Sequence, residues 1–150
     1  MTTDIPAIGQ NLAASVPMIR TLHLEFLETN PQRAVLRLPD QPEFHNHIGG
    51  AHAGAMFTLA ESASGAIVMG AFGGELHRAT PLAVRAEIDY RKVAMGAVTA
   101  EAVLGRPAAD VIAELDAGWR PEFSVIVTLR TDDGTVTGEM TILWTLRPNR

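Results

Sequence analysis

Residues 46–69 have the sequence NHIGGAHAGAMFTLAESASGAIVM, a long apolar stretch rich in small side chains. Between residues 52 and 68, the only charged side chain is that of Glu61. The composition and the glycines that follow predict one long helix over about 51–70. Because this helix is apolar almost all round, we expect it to be buried. A carboxylate at its middle is costly unless it is paired, protonated or used in chemistry.

The rest of the chain shows mostly strand patterns. Asn30-Pro31 and Asp132-Asp-Gly134 are turn signals that predict two hairpins. Short helices are predicted at 5–15 and 110–117. In the strand over 82–90, one face is predicted to carry Leu82, Val84, Ala86, Ile88 and Tyr90. The predicted strands cover 18–28, 34–38, 82–90, 97–104, 123–130 and 135–147.

The order of these elements is a strand pair, one long buried helix and then about four strands. Antiparallel strands with one helix of this length predict an α+β architecture, because the sheet needs an apolar partner for its inner face. Apolar residues make up 47% of the 150 residues, enough for one core. We therefore expect a single domain over 1–150.

Composition excludes several classes of function. Basic residues do not form the stripe typical of a nucleic-acid protein, and the net charge is −5. The chain has no cysteine, which excludes disulfides, thiolate catalysis and zinc–thiolate sites. The N-terminus has no basic region followed by a long apolar run, and the apolar stretch carries Glu61. We expect a soluble, cytoplasmic protein that binds neither membranes nor nucleic acid.

The motif formed by Asn46, His52-Ala53-Gly54 and Glu61 resembles the Asn…His-Gly-Gly…Asp/Glu signature of the PaaI-like and 4-hydroxybenzoyl-CoA thioesterases. The asparagine lies six residues before the histidine, and the acid nine after it. The resemblance covers about 18–147, is motif-specific only over 46–61, and departs from the minimal family member around 107–121. It implies the hotdog fold, in which a curved antiparallel sheet wraps around one long central helix.

The resemblance also implies an activity, the hydrolysis of acyl-CoA or a similar acyl thioester. The backbone N–H of Ala53 would polarise the thioester carbonyl at the start of the helix. Glu61 would act as nucleophile or as general base for water. Asn46 would orient the thioester or the water, and His52 would support the loop. No metal or redox cofactor is expected, and coenzyme A enters as part of the substrate.

Helix geometry adds a constraint on this site. Ala53 and Glu61 are eight residues apart, or about 12 Å along one helix axis. One thioester carbon cannot contact both, so the chemistry needs Ala53 from one subunit and Glu61 from another. A two-fold homodimer supplies that arrangement twice. The resemblance implies the same dimer, often doubled into a homotetramer.

Two departures from the signature support an alternative function. Ala53 replaces the middle glycine, and its methyl group crowds the approach of a thioester. The positions where relatives place an assisting Ser or Thr correspond to Gly65 and Ala83; Ser62, Ser64 and Thr80 lie near but do not match. The alternative is a non-catalytic module that binds acyl thioesters.

Other candidate residues carry weaker signals. Gly54, Arg85 and Arg91 are candidates for substrate binding, and Lys92 lies beside Arg91. The histidines at 45, 47 and 52 could suggest a metal site, but loop histidines of this kind are usually solvated, and we expect no metal. Asp40 with His45 forms a poor version of the Asp–His pair that an enoyl-CoA hydratase of this fold requires, which makes hydration the third alternative.

Overall fold

The computed structural model describes residues 5–150. The elements are, in chain order, α1 (Ile5–Ser15), α2 (Pro17–Thr21), β1 (Glu25–Thr29), β2 (Ala34–Leu38), α3 (Ala53–Phe72), β3 (Ala79–Tyr90), β4 (Val98–Leu104), α4 (Ala108–Asp116), β5 (Glu122–Thr131) and β6 (Val136–Pro148). Two short 3-10 turns, Pro42–Phe44 and Gly73–Glu75, precede and follow α3. The α+β composition predicted from the sequence is confirmed.

The six strands of the described chain form one antiparallel sheet in the order β1-β2-β4-β5-β6-β3. The predicted β1–β2 and β5–β6 hairpins are confirmed, and Gly134 supplies the positive φ of +87° in the second turn. β3 does not pair with β4, the strand that follows it in the chain. β3 crosses to the far side of the sheet and pairs with β6, so its other side is a sheet edge.

Helix α3 packs against the sheet, mainly on β2, β4 and β5. Leu59, Ala63 and Ile67 are fully buried, one helical turn apart. The predicted helix over about 51–70 is confirmed with a shift of two residues at each end, because His52 is the residue that caps the first turn. Helices α1 and α2 also contact α3.

Two local predictions are wrong. The pattern over 18–22 predicts a strand, but Pro17 opens the short helix α2, where its fixed φ suits the first helical position. Ile19 in this helix and Leu22, which follows its last residue, are both buried. The second error is a bulge between Ala83 and Arg85, which breaks the alternation predicted for β3 and leaves Val84 48% exposed.

The segment Ala53–Glu75 is long and apolar enough to cross a membrane by length and composition. In this molecule, however, 67% of its most apolar window is buried. That burial is what the core helix beneath a sheet requires, and it accounts for the apolar composition.

We expect Gly70→Ala to destabilise the protein by about 1–3 kcal/mol. A Cβ at Gly70 would lie 2.8 Å from the Asn30 carbonyl oxygen, where the β1–β2 turn crosses α3. That contact outweighs the roughly 1 kcal/mol that alanine gains over glycine in a helix. Urea denaturation measures the difference.

Gly74→Ala is the matched control, because a Cβ there meets nothing within 4 Å. We expect it to change the free energy of unfolding by less than about 0.5 kcal/mol. Equal stability of Gly70→Ala and the unsubstituted protein would show that the turn does not press on the helix as described.

Candidate functional site

His52 caps the N-terminus of α3. Its Nδ1 accepts a hydrogen bond from the Gly54 N–H at 2.8 Å, and its own backbone N–H donates to the Phe44 carbonyl at 2.9 Å. The imidazole therefore satisfies one of the amide groups that a helix start leaves unpaired, and the backbone ties the preceding loop to the helix. Gly54, a predicted substrate-binding residue, has its N–H occupied by this cap.

Ala53 is the first residue of α3 and is exposed. Its N–H has no hydrogen-bond partner among residues 5–150, and the helix dipole adds partial positive charge at this end. The Tyr90 hydroxyl donates to the Ala53 carbonyl at 2.9 Å and so ties the end of β3 to the helix start. An unpaired N–H at a helix start is a group that can donate to an oxygen atom.

Asn46 lies in the loop before α3 and bonds to that loop. Its Oδ1 accepts from the N–H groups of Ile48 at 3.0 Å and Gly50 at 2.9 Å, and its Nδ2 donates to the Ala51 carbonyl at 3.4 Å. These bonds form an Asx-type turn. The side-chain amide predicted to orient a substrate therefore holds the loop in shape, although Asn46 also borders a cavity.

That cavity, here called the loop-side cavity, has a volume of about 340 Å³ and lies between the 46–51 loop, the start of α3 and the segment after β3. It brings together three of the predicted residues, Asn46, Ala53 and Arg91. Lys92 and Tyr90 also line it. A free backbone donor thus shares one cavity with two cationic side chains.

A second cavity, here called the helix-side cavity, has a volume of about 440 Å³ and lies between α2, the Pro42–Phe44 turn and the first turns of α3. His52 and Gly54 line it, so the predicted residues divide between two neighbouring cavities. The remaining residues that line this cavity are Met18, Leu22, Glu43, Phe44, His45, Ala55 and Thr58. No pattern in the sequence indicates this cavity. Part of its wall is α2, a helix over which the sequence pattern predicts a strand.

Glu61 lies two turns further along α3 and lines neither cavity. Its side chain is half-buried, and its carboxylate makes no hydrogen bond or ion pair within the described part of the chain. Burial raises the pKa of Glu61 above its ordinary value, because desolvation penalises the charged form. Eight positions along one helix keep its Cα about 12 Å along the axis from that of Ala53.

Two hydrogen bonds in series connect the backbone of Glu61 to the sheet. The Ser64 hydroxyl donates to the Glu61 carbonyl at 2.6 Å and accepts from Trp144 Nε1 at 3.2 Å. Ser64 is fully buried and engaged in both bonds. The Ser64 hydroxyl is therefore engaged by the Glu61 backbone and by the Trp144 side chain. The sequence pattern does not predict the contact of Trp144.

The remaining predicted residues lie apart. Arg85 is exposed on the edge strand, just after the bulge, and lines neither cavity. Thr80 donates to the Asn149 side chain at 2.7 Å. His45 Nε2 is 2.6 Å from Asp40 Oδ1. No three Asp, Glu or His side chains between residues 5 and 150 converge in a way that could hold a metal ion.

Comparison with known proteins places this fold. The family described as a domain of unknown function, DUF4442, matches residues 7–146. The chain belongs to the DUF4442 family. No curated protein matches the sequence. A Pseudomonas aeruginosa protein of unknown function, named a probable thioesterase, superposes on this DUF4442 chain with a TM-score of 0.86 at 26% identity, with 99% of each chain covered.

Two more distant structures share the fold. A thioesterase family protein from Silicibacter pomeroyi has a TM-score of 0.75 at 20% identity, covering 95% of this chain and 96% of its own. A single-site mutant of the phenylacetic acid degradation protein PaaI from Thermus thermophilus has a TM-score of 0.68 at 21% identity, covering 87% and 98%. Together with the 26% identical neighbour, these structures confirm the resemblance to the hotdog thioesterase-like superfamily and the hotdog arrangement of sheet and central helix.

The pH dependence of stability should report on Glu61. Since its folded pKa is raised, the folded state keeps a proton that the unfolded state has lost, and stability falls as pH rises from about 4.3 through the folded pKa. We expect Glu61→Gln to be more stable than the unsubstituted protein above this window. The gain should shrink as pH approaches 4, in urea titrations at fixed protein concentration.

Glu122→Gln, at an exposed carboxylate on β5, is the control and should give no such pH-dependent gain. If Glu61→Gln instead loses stability at neutral pH, its carboxylate has a stabilising partner, and the description of an unpaired group is wrong.

Proposed function

We propose that this protein is a thioesterase that hydrolyses acyl-CoA or a similar acyl thioester. The observation that carries the proposal is the half-buried, unpaired Glu61 carboxylate at the middle of the central helix. Burying an unpaired carboxylate costs free energy, and residues buried at such a cost are typical of functional sites. The 26% identical neighbour named a probable thioesterase supports the same class of reaction.

The proposed chemistry needs one base and one oxyanion donor. Glu61 takes a proton from water as the water oxygen adds to the thioester carbon, and the carbonyl oxygen becomes an anion held by the Ala53 N–H. The intermediate collapses, the carbon–sulfur bond breaks, and the proton passes to the leaving thiolate. The raised pKa of Glu61 suits a general base, because it brings the group closer to neutral pH. Direct attack by the carboxylate on the carbon is the variant of this step.

We further propose that the site forms between two subunits. Within one chain Ala53 and Glu61 are too far apart, and a two-fold homodimer with antiparallel α3 helices brings the Ala53 of each subunit close to the Glu61 of the other. The free edge of the twelve-residue strand β3 is a suitable contact, since an unpaired edge is a template for another strand. Pairing of dimers into a homotetramer and a cytoplasmic location remain predictions.

The loop-side cavity is the proposed site for coenzyme A. Arg91 and Lys92 supply the charge that phosphate groups need, and both flank the Ala53 donor. Arg85, exposed beside the proposed subunit contact, would reach the same phosphates from the partner. Asn46 and His52 act by fixing the loop and the helix start, and no metal or redox cofactor takes part.

A panel of acyl-CoA substrates tests Glu61. We expect Glu61→Gln to lower kcat by at least about a hundredfold, the usual contribution of a positioned general base, while the oligomer seen by size-exclusion chromatography persists. Glu122→Gln should retain full turnover. Unchanged turnover in Glu61→Gln would exclude this residue as the base.

Ala53→Pro tests the backbone donor and the shared site. Proline removes the N–H but suits the first helical position, and His52 already has the extended backbone that precedes proline (φ −62°, ψ 138°). We expect Ala53→Pro to fold but to lose turnover, whereas Ala53→Gly, which keeps the N–H, retains it.

Mixing the two inactive variants separates a shared site from a site within one chain. Subunits carrying Ala53→Pro and subunits carrying Glu61→Gln, co-refolded in equal amounts, should regain about a quarter of full activity, because half the dimers then hold one intact site out of two. No recovery, with mixed dimers shown by mass spectrometry, would contradict the shared site.

One observation favours a second candidate, a module that binds acyl thioesters without cleaving them. The Asn46 amide is engaged in its own loop, so it does not stand ready to orient a water molecule. In this case the acyl-CoA panel gives binding by calorimetry without turnover. The contact of His45 with Asp40 keeps enoyl-CoA hydration as a third candidate, which crotonyl-CoA in the same panel tests.

A further inference from the structure

The helix-side cavity differs in chemistry from the loop-side cavity. No Lys or Arg is among the described residues that line it, and Glu43 at its rim is negatively charged. His45 and His52 also face it, but each already has a ring nitrogen engaged, with Asp40 and with the Gly54 N–H. The cavity therefore offers phosphate groups no Lys or Arg partner and suits an uncharged ligand.

The remaining walls are mostly hydrocarbon. Leu22, 4% exposed, closes the inner side, and Met18, 52% exposed, stands at the open side. Phe44 and Ala55 complete the apolar lining. A volume of about 440 Å³ lies within the range of small-molecule sites. At about 30 Å³ per water-sized group, it holds on the order of a dozen heavy atoms.

Glu61 lies on the same face of α3 as two residues that line the helix-side cavity. Gly54, Thr58 and Glu61 follow one another at i, i+4 and i+7, so they share one face of α3. Gly54 and Thr58 line the cavity, and Glu61 lies about 4.5 Å along the axis beyond Thr58. Helical side chains lean toward the N-terminus, so the carboxylate of Glu61 leans toward the cavity.

From this placement we infer that the helix-side cavity holds the hydrocarbon tail of the acyl group, with a preference for aliphatic chains of roughly eight to twelve carbons. The inference rests on the proposed thioesterase function and names its substrate class. The tail lies in the subunit that provides Glu61. The carbonyl oxygen then meets the partner's Ala53, and coenzyme A leaves through the loop-side cavity of that partner subunit.

Filling the cavity should change the chain-length profile. Met18 is exposed, so Met18→Trp narrows the open side without disturbing the core. We expect kcat/KM for decanoyl-CoA and dodecanoyl-CoA to fall about tenfold or more, a typical effect of a pocket on chain length, while butanoyl-CoA stays within about twofold. Val16→Trp, two residues away and not lining the cavity, is the matched control and should keep the original profile.

Calorimetry with non-hydrolysable alkyl-CoA thioethers tests the tail site in the helix-side cavity independently of the proposed thioesterase activity. Tighter binding of the dodecyl than of the butyl thioether, lost in Met18→Trp only, supports the tail site even if no turnover is found. Turnover with the same profile in Met18→Trp and Val16→Trp overturns the tail site and leaves the hydrolase intact. Thioether binding that does not depend on chain length also overturns it.

Discussion

The burial of α3 under the sheet is the constraint on which the rest of the structure depends. The helix is covered by β2, β4 and β5 on one side and contacted by α1 and α2 on another. Small residues permit this enclosure, and at Gly70 the turn after β1 approaches so closely that no side chain fits. Since the helix is fixed along its length, its N-terminus and the face that carries Glu61 are fixed as well.

Much of this architecture follows from patterns in the sequence. An apolar run without charges predicts a buried helix, and alternation with turn residues predicts the strands β2, β5 and β6 closely. Patterns do not record which strands become neighbours, so the crossing of β3 to β6 was not foreseen. The bulge near Ala83 and the short helix opened by Pro17 were also missed, because one extra residue or one proline changes the local geometry without changing composition.

The candidate site was predictable only in part, because spacing in the sequence gives positions along the chain and not contacts in space. Motif spacing selected Asn46, His52, Ala53 and Glu61, and the structure places them before the start, at the start and at the middle of α3. Spacing could not reveal how their polar atoms are used. The Asn46 amide is engaged in its own loop, the Gly54 N–H is engaged by His52, and the Ala53 N–H stays open. Such details depend on side-chain rotamers and on residues distant in sequence, such as Tyr90.

The hydrogen bond from Tyr90 to the Ala53 carbonyl has a consequence for the whole first turn of α3. The same peptide group receives a proton donor at its oxygen and gives its N–H, that of Gly54, to the His52 ring. Bonds in such a chain polarise one another and strengthen together. The helix start is therefore held between an edge strand and its own cap, so the Ala53 N–H that we propose as the oxyanion donor is rigid and needs no further ordering.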